Sequence, residues 1–214
     1  MDGTDTTKRA SYHHGDLRSA LIAAGIEMLE EVGPERISLR GIAARVGVSH
    51  TAPKNHFAGL RGLLTAIAAE GFRRHAAAMT EALAQEASRR DRLRAAATGY
   101  VSFARQNPAL FRLMFNPGLP DLADPDLQQA GAESYAVLAG IAEGLDWTAL
   151  DGSVPTALQS ETMLWSLVHG YATLAVFGGL KTRDCEVIAD VTAIMPGFDY
   201  AEDRQATDPG RSSA

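Results

Sequence analysis

The stretch "ARVGVSHTAPKNHF", residues 44–57, contains four polar side chains that could read a DNA groove. His50, Thr51, Lys54 and Asn55 can donate or accept hydrogen bonds to base edges. Lys54 can also neutralise a phosphate. On a short helix that covers the second half of this stretch, all four side chains would face outward. The pattern therefore indicates a recognition element for double-stranded DNA.

Pro53 lies inside this predicted helix, and a proline in a helix interior costs about 3 kcal/mol. If Ser49 is the N-cap, Pro53 is the fourth helical residue. The first four N–H groups of a helix have no intrahelical partner, so the cost should fall well below the interior value. We therefore predict a short helix over residues 49–57 with a distorted first turn. Val48, Ala52 and Phe57 would pack inward.

Two further helices are predicted before this element. Apolar residues at positions 17, 21, 24, 28 and 32 form one face of a first helix, from near Asp16 to Gly33-Pro34. A second helix follows Ser38, a favourable N-cap, and stops at Gly47. Together with the third helix, they predict a helix-turn-helix unit. An ordinary helical hairpin is the alternative, because two short helices joined at a glycine are common.

The other reactive side chains form no recognisable catalytic or metal-binding motif. None of the six histidines belongs to an H-x-x-x-H pair, and no G-x-S-x-G, phosphate loop or C-x-x-C occurs. The one cysteine, Cys185, allows neither an intramolecular disulfide nor a zinc cluster. We therefore expect no enzymatic activity, no metal and no cofactor. A helical protein that binds a ligand or a partner, and whose DNA reader is degenerate, is the alternative function.

Charge and hydropathy limit the partners that the chain can have. The net charge of the 214 residues is −6, but the first 64 residues balance at +1 and the remainder at −7. The N-terminal part is thus the better candidate for contact with a polyanion. The first 15 residues are polar and the longest apolar run is too short for a bilayer, so we expect a cytoplasmic protein and no membrane contact. Residues 1–11 and 199–214 are predicted to be disordered tails.

The remaining sequence is helical in pattern nearly throughout, with breaks at Pro and Gly. Six more helices are predicted, at roughly residues 60 into the eighties, 91–106, 108–115, 125–145, 155–178 and 184–194. The fold class is therefore all-α with about nine helices. Residues 12–60 would form the DNA-binding domain, and residues 61–198 a helical domain for ligand binding and dimerisation.

Aromatic residues are frequent in the second domain, and they indicate an apolar pocket between helices. Trp165 and His169 are four residues apart and share a helix face. For any one of these residues, an ordinary place in the core is the alternative. The candidate ligand-binding residues are Phe103, Phe111, Met114, Phe115, Tyr135, Trp147, Trp165 and His169.

The predicted helix 155–178 is apolar nearly all round, and a helix of that kind must be buried on most sides. With helix 184–194, it could form a four-helix interface between two copies of the chain, with helices crossing at roughly 20°. The candidate interface residues are Leu167, Tyr171, Leu174, Val187, Val191 and Ile194.

Residues 16 to about 72 resemble the DNA-binding domain of the TetR/AcrR family of transcriptional regulators. The resemblance rests on "I-A-x-x-V-G-V-S", on the preceding "G-x-x-x-I-S" and on the "HF" before a long helix. It implies an all-α homodimer that represses by binding a near-palindromic operator, and a small apolar effector that releases the DNA. It also implies a set of DNA-facing residues: Ser38, Arg40, Ser49, His50, Thr51, Lys54, Asn55 and His56.

Two positions depart from the family pattern. Lys54 replaces a tyrosine that usually faces phosphate, and Leu60 replaces a lysine, for which Arg61 could substitute. In the second domain, "WSLVHG" resembles the W-x-x-x-H-G signature of one subgroup of the family, and "NPALFRLMF", "YHHGDLR" and "SHTAP" fit the same subgroup.

Overall fold

The computed structural model describes residues 14–81, 83, 88–178 and 190–200. This part of the chain contains seven α-helices, two 3₁₀ turns and one pair of two-residue strands. The helices are α1 (His14–Val32), α2 (Leu39–Val46), α3 (Gly59–Glu81), α4 (Arg89–Gln106), α5 (Pro108–Met114), α6 (Pro125–Ala142) and α7 (Ala157–Val176). The prediction of an all-α fold is confirmed.

Helix α2 begins and ends at the two residues that the sequence indicates. Ser38 has extended backbone, and its side-chain oxygen accepts a hydrogen bond from the Gly41 N–H at 3.1 Å. Gly47 ends the helix with φ +76°, a left-handed conformation that glycine adopts without steric cost. Arg45 pairs with Glu31 of α1, which ties the two helices together. These local signals determine the angle at which the chain enters the following turn.

The predicted third helix over residues 49–57 is wrong in type. The chain forms a 3₁₀ turn, Ala52–Asn55, with Pro53 in its first turn. Its backbone bonds join residues three apart, from the Ala52 N–H to Ser49 and from the Lys54 N–H to Thr51. Pro53 has no N–H with which to continue an α-helical ladder, so the tighter pattern is favoured. Pro53 is also fully buried, and it anchors the turn against the core.

Helix α3 is the structural link of the molecule. Its 23 residues span about 34 Å at 1.5 Å per residue. Its N-terminal half packs on α1 through Ile67, and Gly25 of α1 allows this approach, since an added Cβ would lie 2.5 Å from the Ile67 side chain. Its C-terminal half packs on α4 at Gly99, where an added Cβ would lie 2.3 Å from the Ala78 carbonyl oxygen. One helix therefore belongs to the cores of both domains.

In the C-terminal domain, α4, α5 and α6 pack on α3, and α7 packs on α4 and α6. Asp124 caps α6, and a capping box between Thr156 and Gln159 begins α7. Two short antiparallel strands, β1 (Leu145–Asp146) and β2 (Asp199–Tyr200), close one end.

The C-terminal end of the described chain differs from the prediction in two places. The prediction of a disordered tail from residue 199 is wrong at its start, because Asp199 and Tyr200 form β2. Tyr200 is instead buried, and its hydroxyl donates to the Ile141 carbonyl. The end of the predicted helix 184–194 is also different, since Val191–Ala193 is a 3₁₀ turn. Residues 184–189 of that helix, the predicted tail 1–11, and residues 201–214 of the predicted tail 199–214 lie outside the described residues.

Candidate nucleic-acid interface and ligand cavity

Most of the predicted DNA-facing residues are exposed on the N-terminal domain. Ser38, Arg40, Ser49, His50, Thr51, Lys54 and Asn55 are exposed, and His56 is half-buried. The Ser49 and Thr51 hydroxyls are 2.9 Å apart and hydrogen-bonded, so each has capacity left for a further partner. We call the exposed side chains of residues 49–55 the reader surface.

Two buried residues, Pro53 and Phe57, and the backbone hydrogen bonds between them support the reader surface. The Phe57 N–H and the His56 N–H both donate to the Pro53 carbonyl at 3.0 Å. Phe57 is buried, and the Arg18 guanidinium of α1 lies 5.6 Å from its ring centroid. The two buried residues, Pro53 and Phe57, thus fix the backbone on which Lys54 and Asn55 are displayed. Such preorganisation lowers the entropy cost of binding.

Arg61, near the start of α3, contacts the loop before α6. Its guanidinium bonds the Pro120 carbonyl at 3.4 Å and lies 3.8 Å from the Asp121 carboxylate, in the loop before α6. The Thr65 hydroxyl accepts a hydrogen bond from the Asp121 N–H at 2.8 Å. The Arg61 side chain is still 64% exposed, so its contact with DNA stays a prediction.

A cavity of about 280 Å³ lies in the C-terminal domain between α3, α4, α6 and α7. This volume is near the lower end of the range for small-molecule sites. None of its ten lining residues is Lys, Arg, Asp or Glu. The lining includes four aromatic side chains, one histidine and one serine: Phe72, Tyr100, Phe115, Trp165, His75 and Ser134.

Hydrogen bonds join the polar groups of the cavity wall in pairs. His75 Nδ1 is 2.8 Å from the Ser134 hydroxyl, which links α3 to α6. The Tyr100 hydroxyl is 2.8 Å from His169 Nδ1, which links α4 to α7. The Tyr135 hydroxyl donates to the Glu161 carboxylate at 2.6 Å. The cavity thus has an apolar surface supported by polar pairs that cross between helices.

Burial determines the protonation of these groups. Burial, together with a smaller effect of the nearby His169 ring, lowers the pKa of His75 to about 3. Burial also lowers the pKa of His169 and raises the pKa of the Tyr100 hydroxyl. Near neutral pH, both imidazoles and the phenol are therefore uncharged, and the cavity carries no formal charge.

Three of the eight predicted ligand-binding residues line this cavity: Phe115, Tyr135 and Trp165. Phe103, Phe111 and Met114 are buried in the core behind it. His169 lies in the next layer, with Phe115 4.5 Å away between ring centroids. Trp147 is separate, because it follows β1 and its indole N–H donates to the Ser160 hydroxyl at 2.9 Å.

The sequence analysis did not find the cavity residues on α3 and α4. Phe72, His75 and Met79 follow each other at helical spacing on α3, with His75 as a polar residue on an otherwise apolar face. That pattern was available as a signal. Tyr100 and Ser134 gave no such signal, since their roles depend on pairing with residues more than 50 positions away.

The candidate dimer residues fall into three groups. Leu174 and Ile194 are exposed and Leu167 is half-buried. Tyr171 and Val191 are buried within the chain, so they are not available for an interface. Val187 lies outside the described residues. The exposed large apolar side chains of α7 and its end are Leu158, Trp165, Leu174 and Phe177. At 100° per residue, Leu174 and Phe177 lie on the side of the helix opposite Leu158 and Trp165, and we call Leu174 and Phe177 the α7 face.

Helix α5 connects the cavity to the N-terminal domain. The carboxylate of Glu30, on α1, accepts hydrogen bonds from the Ala109 N–H at 3.0 Å and the Leu110 N–H at 2.8 Å. These two N–H groups lie in the first turn of α5, where they have no intrahelical partner. The other end of α5 leads directly into Phe115 in the cavity wall. A displacement at Phe115 therefore acts on a helix that α1 holds at its other end.

Within residues 14–81, 83, 88–178 and 190–200, no three His, Cys, Asp or Glu side chains come together to hold a metal ion. In the same ranges, no helix has the length and apolar character that crossing a bilayer requires.

Comparison with known proteins gives a consistent result. Residues 93–193 match the family model described as the tetracyclin repressor-like, C-terminal domain. A protein of unknown function from Rhodococcus sp. RHA1 is 35% identical, with a TM-score of 0.69, over 85% of this chain and 93% of that one. No curated protein matches the sequence.

Two more distant structures share the fold. The fatty acid degradation regulator FadR from Bacillus halodurans is 14% identical, with a TM-score of 0.61, over 86% of this chain and 92% of that one. A TetR family transcription regulator from Marinobacter aquaeolei VT8 is 19% identical, with a TM-score of 0.55, over 78% of this chain and 87% of that one.

Proposed function

The chain belongs to the TetR family of transcriptional regulators, and from this membership we propose that it is a homodimeric repressor released by a small apolar ligand. The observation that carries the proposal is the course of α3. Its N-terminal end follows directly on the reader surface, and its C-terminal half supplies Phe72, His75 and Met79 to the cavity. A ligand in the cavity would thus contact α3, and DNA at the reader surface would lie near the N-terminal end of the same helix.

The reader surface supports binding in the major groove. Lys54 has the charge to neutralise a phosphate, and Thr51 and Asn55 have the hydrogen-bonding groups that distinguish base edges. The short 3₁₀ turn displays these side chains close together. Asn55 pairs most readily with adenine, because its amide can bond both N6 and N7.

The α7 face supports a second copy of the chain as the partner. Leu174 and Phe177 are 50% and 66% exposed, and an added Cβ at Gly170 would meet no atom within 4 Å. A helix that exposes large apolar side chains beside an open glycine suits close packing against its own equivalent across a two-fold axis. Dimerisation would place two reader surfaces one DNA turn apart, about 34–36 Å, on the two halves of a near-palindromic operator.

Release follows from the two contacts that join the domains. A ligand that displaces Phe115 shifts α5 against Glu30, and the Arg61–Asp121 contact restrains the loop before α6 against α3. Ligand binding can change DNA affinity only if it favours one spacing of the two reader surfaces over the other. The expected coupling is about 1–3 kcal/mol, or about 5–150-fold in DNA affinity.

Selection of DNA fragments from a random library by the purified protein, repeated at several salt concentrations, tests the proposal. The proposal predicts recovery of an inverted repeat whose half-sites are one turn apart. The logarithm of the affinity should fall linearly with the logarithm of the salt concentration. Recovery of no preferred sequence would show instead that the reader is degenerate and that the protein serves only as a ligand- or partner-binding protein.

A further inference from the structure

One nitrogen in the cavity wall has no partner. His75 is only 2% exposed, and its Nδ1 is bonded to Ser134. Its other ring nitrogen, Nε2, is buried and makes no hydrogen bond to any described residue. A buried polar atom without a partner costs about 1–3 kcal/mol, so such atoms are rare in folded proteins.

His75 lines the cavity, but its Nε2 is not exposed there, so a small rotation of the imidazole ring is needed for Nε2 to meet a bound molecule. The His75 ring is part of the cavity wall, beside Tyr100 at 4.2 Å and Phe103 at 5.2 Å between ring centroids. Neither neighbour forms a hydrogen bond with Nε2 in this structure, and the Tyr100 hydroxyl is bonded to His169 instead. A polar group on a ligand is therefore the partner that this environment allows.

The chemistry of the wall limits the charge of that ligand. The lining residues contain no formal charge, and burial keeps His75 neutral at any pH near 7. A carboxylate or an ammonium group would lose its hydration there without gaining a counter-ion, which is strongly unfavourable. A hydroxyl or a carbonyl group loses much less, and it can bond the imidazole.

We infer that the cavity binds an uncharged, largely apolar molecule with one hydrogen-bonding group, and that His75 recognises this group through Nε2. This inference rests on the proposed function only for its regulatory meaning. The Ser134 hydroxyl can donate or accept, so the neutral imidazole can present Nε2 either as an acceptor or as an N–H donor. A ligand hydroxyl satisfies both forms. Since His75 lies on α3, the bond would act directly on the helix that leads to the reader surface.

Four probes of one shape and different charge test the inference: biphenyl, 4-phenylphenol, biphenyl-4-carboxylate and 4-phenylbenzylamine. Their binding to the full chain without DNA is measured by equilibrium dialysis at about pH 7. We expect 4-phenylphenol to bind about fivefold to tenfold more tightly than biphenyl, as one additional hydrogen bond implies. The carboxylate and the amine should bind at least about a hundredfold more weakly than the phenol.

Two substitutions separate the roles of the two ring nitrogens. His75→Asn keeps a polar atom near Nδ1 for Ser134 but removes Nε2, so the preference for phenol over biphenyl should fall to about twofold or less. His75→Gln extends an amide toward the position of Nε2 and should retain most of the preference. Helical circular dichroism shows whether each variant is folded, and biphenyl binding shows whether its cavity is intact.

The inference is overturned if a charged probe binds as tightly as 4-phenylphenol, if neither neutral probe binds, or if folded His75→Asn keeps the full preference. These results leave the proposed function intact, because DNA selection is measured separately. Conversely, selective binding of the phenol by a protein that selects no DNA sequence would contradict the proposed function and support the inference.

Discussion

The reader surface and the cavity differ in how their polar groups are held. The reader residues belong to one short segment, are exposed, and leave their hydrogen-bonding capacity open to solvent. The polar groups of the cavity come from four helices, are buried, and are bonded in pairs such as His75–Ser134 and Tyr100–His169. Substitutions at the reader surface should therefore alter DNA binding without altering folding. Substitutions around the cavity should alter both.

The largest effect is expected at the α7 face, because dimerisation through this face would let two reader surfaces bind the two half-sites of one operator. Leu174→Glu with Phe177→Glu places two charges on this face and should yield monomers. Operator affinity should fall by about a hundredfold or more, because the second half-site is no longer bound intramolecularly. Sedimentation and DNA titration measure the two effects. Leu122→Glu, at another exposed apolar residue, is the control. A double variant that stays dimeric and binds DNA normally would remove α7 from the interface.

The next effect concerns pH and is confined to the cavity. Burial lowers the pKa of His75 to about 3, below its usual value of about 6.5, so the unfolded chain binds a proton that the folded chain does not. The stabilisation is fully present above about pH 6.5 and is lost as the pH falls toward 3. The loss is about 1.4 kcal/mol per pH unit, or about 3 kcal/mol by pH 4.5.

Urea unfolding at several pH values measures this loss. His75→Gln should remove it, so the difference between the two curves isolates the histidine from the carboxylates. Parallel curves for the two proteins between about pH 6.5 and 4.5 would show that His75 is not held neutral by burial.

At the reader, two substitutions on one turn should have different signatures. Asn55→Ala should cost roughly 1–3 kcal/mol on the preferred operator and little on unrelated DNA, as expected for contact with a base edge. Lys54→Ala should weaken binding on all sequences alike and reduce the salt slope by about 1. Both proteins should unfold at the wild-type urea concentration, because both side chains are exposed. A Lys54→Ala protein with relaxed specificity at one base pair would reverse the two assignments.

The smallest effect is expected at the contact between the two regions. Glu30→Gln keeps the shape of the side chain but removes the charge that caps α5, which should lower the free energy of unfolding by about 1 kcal/mol. It should also reduce the effect of a bound ligand on DNA affinity. Glu35→Gln, at an exposed residue in the loop after α1, is the matched control. Unchanged stability and unchanged coupling in Glu30→Gln would exclude this route between the domains.

The same contrast explains what the sequence could predict. Ser38 and Gly47 act on their own helix, so the limits of α2 were readable from the local pattern. At Pro53, prediction from the local sequence gave the wrong type of helix. Its position suggested a tolerated helix residue, whereas its burial and missing N–H produce a 3₁₀ turn. The His75–Ser134 pair joins residues 59 positions apart, and no local pattern contains that information. Prediction therefore succeeded where the determinants are local.

The proposed effect of an occupied cavity on DNA binding, transmitted through α3, can be tested without knowing the ligand. Gly131 of α6 lines the cavity, and an added Cβ there would meet no atom within 4 Å. Gly131→Phe would place a ring in or beside the cavity. Gly140→Phe, at an open position on the same helix outside this cavity, controls for the glycine substitution. The measurement is the operator affinity of both variants and the wild type. The account predicts that Gly131→Phe binds operator at least about fivefold more weakly and no longer binds 4-phenylphenol, while Gly140→Phe matches the wild type. Equal operator affinity in all three proteins, with the cavity of Gly131→Phe closed to 4-phenylphenol, would contradict it.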